Sequence, residues 1–495
     1  MRAQGARILG LIAAALVAGA AAAPAADAAK TLEVGIADDA AVLENPIPAD
    51  AARTVADWRA LGVDDVRLFA QWGRISPRAG DVRAPAGFDA ADPDAPGYDW
   101  SALDRAVALV RGAGMAVTLS VTGPGPVWAT ASPSALNPRL NPVPGQFGRV
   151  ARAVATRSGA QVDRYVLWNE PNLPLWLQPQ FTCRGRTCTP ASPHLYRRLV
   201  RAAQPAIRAA DAGARVLIGA LAPSGQNPRS RNATMRPLAF LRALGCVDRR
   251  AQRDRHGACA GFRPAAADGI AYHPHGVRRA PDARAPNADD AGLADLGRLE
   301  GLLDAVQRAG GLRNTLGRTR RFDLYLTEYG YQTDPPDRFA GVRPARQGAW
   351  LQQGAYMAWR DPRVRTMTQY VWRDERAGPN GAGWQSGLRF ADGRPKPALR
   401  SFPQPFWADS TVARRAARLW GQVRPGGSHA VSVQRRTRGS AGWTTIRRLR
   451  TDGRGVFGLR VAVTRPVEYR FTWRETPGAA ARASDARRVA PVRGR

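Results

Sequence analysis

Apolar residues gather into eight short runs along the first four-fifths of the chain. The runs are 31–37, 63–72, 115–123, 162–170, 215–223, 268–276, 322–330 and 367–372. Each is short and rich in β-branched or aromatic residues, as strands buried on both faces are. Between them lie stretches with helical spacing, such as 49–61, 101–113, 193–212, 292–309 and 346–360. In the second of these, Leu103, Val107 and Val110 share one helical face. Glycine closes several helices just before the next strand, as at Gly62 and at Gly112 and Gly114. Eight strand–helix repeats predict an α/β chain, a (β/α)8 TIM barrel over residues 29–408. A doubly wound open sheet is the other arrangement of such repeats, but no glycine-rich dinucleotide fingerprint follows the first run.

From residue 409 the period changes. Six short alternating segments, 418–424, 430–436, 443–449, 456–463, 467–473 and 485–492, are separated by Gly or Pro. They predict a small all-β, sandwich-like domain over 409–492, with 493–495 as a tail. Trp420, Trp443 and Trp473 fall within it and are expected in its core.

The first 28 residues read as a signal peptide. Arg2 and Arg7 precede an apolar, alanine-rich run, and Ala26-Asp27-Ala28 supplies small residues for cleavage. The expected protein is therefore secreted, with no membrane span after cleavage. Export permits disulfides, and the four cysteines fall into two close pairs, Cys183 with Cys188 and Cys246 with Cys259. Neither spacing is that of a zinc knuckle.

The chain carries a formal net charge of +33, almost all from arginine. Residues 409–495 hold 20 arginines against 5 acidic residues. In a secreted protein such a balance suits an acidic cell-surface polymer rather than nucleic acid; a general compositional preference for arginine produces the same balance.

The chemistry is concentrated at two strand ends. Tyr165-Val166-Leu167-Trp168-Asn169-Glu170-Pro171-Asn172 is an apolar strand that ends in Asn-Glu, and Pro171 cannot continue the ladder. Leu324-Tyr325-Leu326-Thr327-Glu328-Tyr329-Gly330 repeats the pattern. A lone strand-end glutamate would simply face water. Two of them at the same rim of a barrel make a paired-carboxylate site.

Trp168-Asn169-Glu170-Pro171-Asn172 followed by Leu326-Thr327-Glu328-Tyr329-Gly330 resembles clan A of the glycoside hydrolases. Within it the wording is most like family 39, the β-xylosidase and α-iduronidase type, with family 5 as the near alternative. The resemblance implies a retaining O-glycosyl hydrolase acting on an oligo- or polysaccharide, without a cofactor. It assigns Glu170 as acid/base, Glu328 as nucleophile and Asn169 as a ligand of the sugar 2-hydroxyl. Arg67 stands where the clan keeps an arginine beside the nucleophile, and Trp372 where it keeps an indole under the sugar. Trp128 is the candidate sugar contact in the loop after the third strand.

The sixth strand departs from the family pattern. His273 and His275 lie two residues apart on one face, and the family has tyrosine where His275 stands. An imidazole can donate the same hydrogen bond to the nucleophile, and it can also charge near neutral pH. A metal pair is the competing reading. The other histidines show no ligand spacing, so no metal is expected. A different class of function, a barrel that only binds glycans at a surface, would need none of this acid–base pairing.

Overall fold

The computed structural model describes residues 31–378, 383–413, 415–437 and 440–491. The expected signal peptide and the tail 493–495 lie outside the described residues.

Eight parallel strands close into a barrel. In order they are Glu33–Ala37, Asp65–Gln71, Ala116–Thr122, Arg164–Leu167, Arg215–Leu221, Gly269–Tyr272, Asp323–Tyr329 and Val364–Tyr370, called strands 1 to 8 below. Strand 1 pairs with both strand 2 and strand 8, which completes the ring. The (β/α)8 expectation therefore stands. Strand 8 begins earlier and ends earlier than its apolar pattern suggested. Its buried positions include Thr366 and Thr368, so hydrophobicity alone did not mark its start.

Helices wrap the ring. Ser101–Gly112 buries Leu103, Val107 and Val110, as the periodicity required, at about 1.5–3 kcal/mol for each such side chain. Pro144–Ser158 and Pro237–Leu244 are helices whose small-residue or short patterns had not stood out. Proline opens both, where its missing N–H has no intrahelical partner to lose. Among the described residues, no helix is long and apolar enough to cross a membrane.

The C-terminal region is all-β. Phe406–Ala413, Ala416–Gln422 and Val456–Ala462 form one antiparallel sheet. Thr444–Arg450, Ala430–Thr437 and Val467–Trp473, with two short edge segments, form another. Phe406, Leu419, Val433, Phe457 and Phe471 are packed together in their shared core. The first of these strands starts within what composition assigned to the barrel.

The three tryptophans have separate fates. Trp473 is buried and its indole donates to Gln404 Oε1 at 2.8 Å. Trp420 packs on Tyr356 and Trp359 of the barrel helix Pro344–Arg360, joining the two regions. Trp443 is half-buried, with the guanidinium groups of Arg436 and Arg470 at 4.6 and 4.3 Å from its ring.

Candidate active site

Strand order decides what meets at the C-terminal rim. Arg67 lies within strand 2, level with Ala37 of strand 1, and it points inward with only 2% of its surface exposed. Its guanidinium holds three other parts of the barrel. One arm makes a short ion pair with Glu328 Oε1. Another donates to Asn169 Oδ1 at 2.7 Å, and Nε donates to Ser120 Oγ of strand 3 at 2.9 Å. A buried arginine is tolerable only when its fork is satisfied in this way.

The two glutamates are joined from the other side by histidine. His273 Nδ1 lies 3.1 Å from Glu170 Oε1 and 3.6 Å from Glu328 Oε2. These two carboxylate oxygens are thus no farther apart than the two lengths laid end to end. His273 Nε2 is 3.1 Å from the Thr327 hydroxyl, which steadies the ring. His275 Nε2 lies 3.1 Å from Glu328 Oε2, while its Nδ1 is buried without a partner. His275 is thus within hydrogen-bond reach of Glu328.

Glu328 is 4% exposed, and burial by itself opposes its ionisation. The electrostatics of His273 and Arg67, and the hydrogen bond from His275, outweigh burial and hold its carboxyl well below the usual carboxylate range. Two more carboxyls stand nearby on the loop after strand 1. Asp38 accepts the backbone N–H groups of Trp372 and Arg373 at 2.9 and 3.0 Å. Asp39 accepts that of Phe69 at 3.1 Å. Burial pushes Asp38 up to about 6 and Asp39 up to about 7.

The backbone around the first glutamate is unusual. Trp168 and Glu170 both have positive φ, 71° and 37°. Such left-handed positions at bulky side chains cost on the order of 1–3 kcal/mol each and persist only where packing enforces them. Here the packing is visible. The Trp168 ring is fully buried, edge-on to Phe147 at 5.1 Å, and a Cβ on Gly123 would fall 2.4 Å from it. The Glu170 N–H is anchored to the Ala220 carbonyl at 2.9 Å. The turn sends Trp168 outward and leaves Asn169 and Glu170 beside Arg67 and His273.

Two expected sugar contacts are not there. Trp372 lies past the end of strand 8 with its ring in the core, edge-on to Trp58 at 6.4 Å and beneath Arg389 at 4.9 Å. Trp128 is 9% exposed, donates to the Pro77 carbonyl at 3.2 Å and meets the Phe88 ring. Both are packing residues, because strand 8 stops at Tyr370 and the loop after strand 3 folds onto the segment after strand 2.

Sequence reasoning missed the aromatics that do border the site. Trp384 is half-buried, 5.0 Å from the His275 ring and 5.3 Å from that of Tyr370. Its backbone is clamped to Glu375, whose side chain takes its N–H at 3.0 Å. On the other side, Phe69 lies 4.4 Å from the Arg67 guanidinium and 5.7 Å from the half-buried Trp176. Phe69 was legible, since it shares Arg67's strand face two residues on. Trp176 and Trp384 sit on loops whose course no local pattern encodes.

The disulfides are those expected, Cys183–Cys188 and Cys246–Cys259. The first crosses a hairpin, Phe181–Arg184 with Thr187–Pro190, in the loop after strand 4.

No family model matches the sequence, and no curated protein matches it. Solved structures do resemble it. A glucosidase from Croceicoccus marinus aligns at 13% identity, covering 88% of this chain and 94% of its own, with a TM-score of 0.47. A GH5_18 protein from Bifidobacterium longum subsp. longum in complex with Manb1-4GlcNAc aligns at 12% identity over 75% and 77% of the two chains, also with a TM-score of 0.47. A family 39 glycoside hydrolase from Bacteroides cellulosilyticus WH2 aligns at 14% identity over 88% of this chain and 80% of that one, with a TM-score of 0.50. At that identity the last likeness shows the fold: the chain is built on the same closed barrel of eight parallel strands.

Proposed function

We propose that the protein is a secreted retaining glycoside hydrolase that cleaves O-glycosidic bonds by double displacement. The carrying observation is the pairing of Glu170 and Glu328 through one imidazole nitrogen, with Glu328 alone gripped by Arg67. A nucleophile must stay ionised in a buried site, and Glu328 is held so. Glu170, outside Arg67's grip, is the acid that protonates the leaving oxygen and then the base that activates water. The end-to-end limit on their oxygens falls below almost all of the roughly 6.5–9.5 Å that inversion uses. That favours retention. Asn169, oriented by Arg67 Nη2, is placed to bond the sugar 2-hydroxyl as charge develops at the anomeric carbon.

The substrate class is an oligo- or polysaccharide, and Trp384, Trp176 and Phe69 supply apolar faces for its C–H surfaces. The arginine-rich C-terminal sheets favour an acidic surface polymer as a second partner. The N-terminal signal pattern is the basis for secretion.

The test is a panel of aryl glycosides with the anomeric configuration of the first-formed product followed by NMR. Wild type should release product of retained configuration. Glu328→Ala and Glu170→Ala should each lose most turnover while circular dichroism shows the fold kept, with Glu328→Ala melting lower because it leaves Arg67 buried without its partner. Azide should restore release by Glu328→Ala with inverted product. Inverted product from the wild type would overturn the mechanism, and full activity in either variant would overturn the assignment.

A further inference from the structure

Two buried histidines converge on one carboxylate oxygen. His273 Nδ1 and His275 Nε2 lie 3.6 and 3.1 Å from Glu328 Oε2, and the three ligand atoms are within 4.8 Å of one another. All three residues are buried. Arg67 engages the other oxygen, Oε1, so Oε2 is free of it. Zinc bound by nitrogen and oxygen at about 2.0–2.2 Å sets its tetrahedral ligands about 3.4 Å apart. Two of the three edges are already that long, and the imidazole–imidazole edge needs to close by an amount on the order of 1 Å.

The proton arrangement permits it. His273 Nε2 faces the Thr327 hydroxyl, which can accept its proton and leave Nδ1 as a lone pair. Zinc would displace the proton that His275 Nε2 directs at Glu328 Oε2, leaving the ring's remaining proton on the unpartnered Nδ1. Glu170 Oε1, 3.1 Å from His273 Nδ1, stands beside this group without belonging to it. Among the described residues, the other cluster of metal-ligand types is His194 with Cys246 and Cys259, and there the disulfide closes off both sulfurs.

We propose that His273, His275 and Glu328 form a three-ligand Zn2+ site whose occupation shuts the catalytic centre. Occupation ties up the nucleophile's oxygen and sets the ion beside the acid/base carboxyl, so zinc and sugar exclude each other. The inhibition rests on the hydrolase reading; the binding does not.

The experiment titrates the full-length protein with ZnCl2 at pH 7 by calorimetry, and with Co2+ by absorption, where a tetrahedral site gives intense visible bands. Wild type should bind one Zn2+ per chain. Both His275→Tyr and Glu328→Gln should raise the Kd at least tenfold, and His256→Ala, at an exposed histidine, should leave it unchanged. Zinc should inhibit aryl glycoside hydrolysis competitively in the wild type. The proposal is overturned if no saturable site is found, or if both ligand variants bind zinc with the wild-type Kd. Should His275→Tyr fail to fold, as its circular dichroism would reveal, Glu328→Gln decides alone. Zinc binding that follows these variants in a protein inactive on every glycoside keeps the metal site and removes the hydrolase reading. Hydrolysis with no zinc affinity does the reverse.

Discussion

Replacing Arg67 with methionine removes the charge while nearly keeping the apolar volume of the stem. The guanidinium is 2% exposed and bonds Glu328, Asn169 and Ser120, which belong to three different parts of the ring. Breaking a buried ion pair by deleting one partner costs about 3–5 kcal/mol, because the other charge is left behind. The lost bond to Ser120 adds about 0.5–1.5 kcal/mol. Stability should therefore fall by several kcal/mol, read as a lowered melting temperature. The kinetic effect has a separate signature. Without Arg67, burial of Glu328 is opposed only by the histidines, so its carboxyl rises toward the usual carboxylate range or beyond it. Losing even the lower part of that interaction from the transition state, at about 1.4 kcal/mol per tenfold, lowers kcat/KM about 10²- to 10³-fold. The assay is kcat/KM against pH on one aryl glycoside for wild type, Arg67→Lys and Arg67→Met. Wild type should show no acid limb from Glu328, which stays ionised over the whole working range. Arg67→Met should gain such a limb and recover part of its rate as pH rises. Arg67→Lys, with charge but no fork, should fall between. An Arg67→Met protein within tenfold of wild type and with an unmoved acid limb would refute the argument that Arg67 holds the nucleophile ionised.

Trp384→Ala should raise KM for aryl glycosides about tenfold or more with little change in melting temperature, whereas Trp372→Ala should cost about 3–5 kcal/mol of stability through the cavity it leaves against Trp58. Comparable kinetic losses in the two would return Trp372 to the sugar site. Asp39, pushed up to about 7 by burial, binds its proton in the folded state at pH values where the unfolded chain, near 4, has released it. Its contribution is therefore fully present below about pH 4 and is lost as pH rises to about 7. Asp39→Asn should accordingly gain melting temperature over wild type at pH 8 and not at pH 4; a gap independent of pH would rule this out. Reducing Cys183–Cys188, which closes a short loop, should lower stability by only a few kcal/mol at most. Peptide mapping should find no cross-pair between the two disulfides.

Much of this protein is written in local pattern. Short apolar runs gave the barrel strands, period-two alternation the C-terminal ones and period-3.6 spacing most helices. Asn169-Glu170-Pro171 and Thr327-Glu328 were visible because a charge at the tip of a buried strand is costly unless it is used. Arg67 stood out for the same reason, and cysteine spacing suggested both disulfides. What local pattern could not carry is which elements become neighbours. His273 belongs to strand 6 by sequence, yet it reaches Glu170 and Glu328 because strands 4, 6 and 7 bend around one rim. The metal-type cluster was hidden similarly, as its third ligand comes from a different strand than the histidine pair. Trp372 lies in the core and Trp384, of which nothing was expected, borders the site, because strand 8 ends at Tyr370 and the loop beyond it folds back. Sequence thus determined the periodic elements and the chemistry at their tips, which depend on nearest neighbours along the chain. Ring closure and loop course determined the partners, because those contacts join residues that are far apart in the chain and are selected only when the whole core packs.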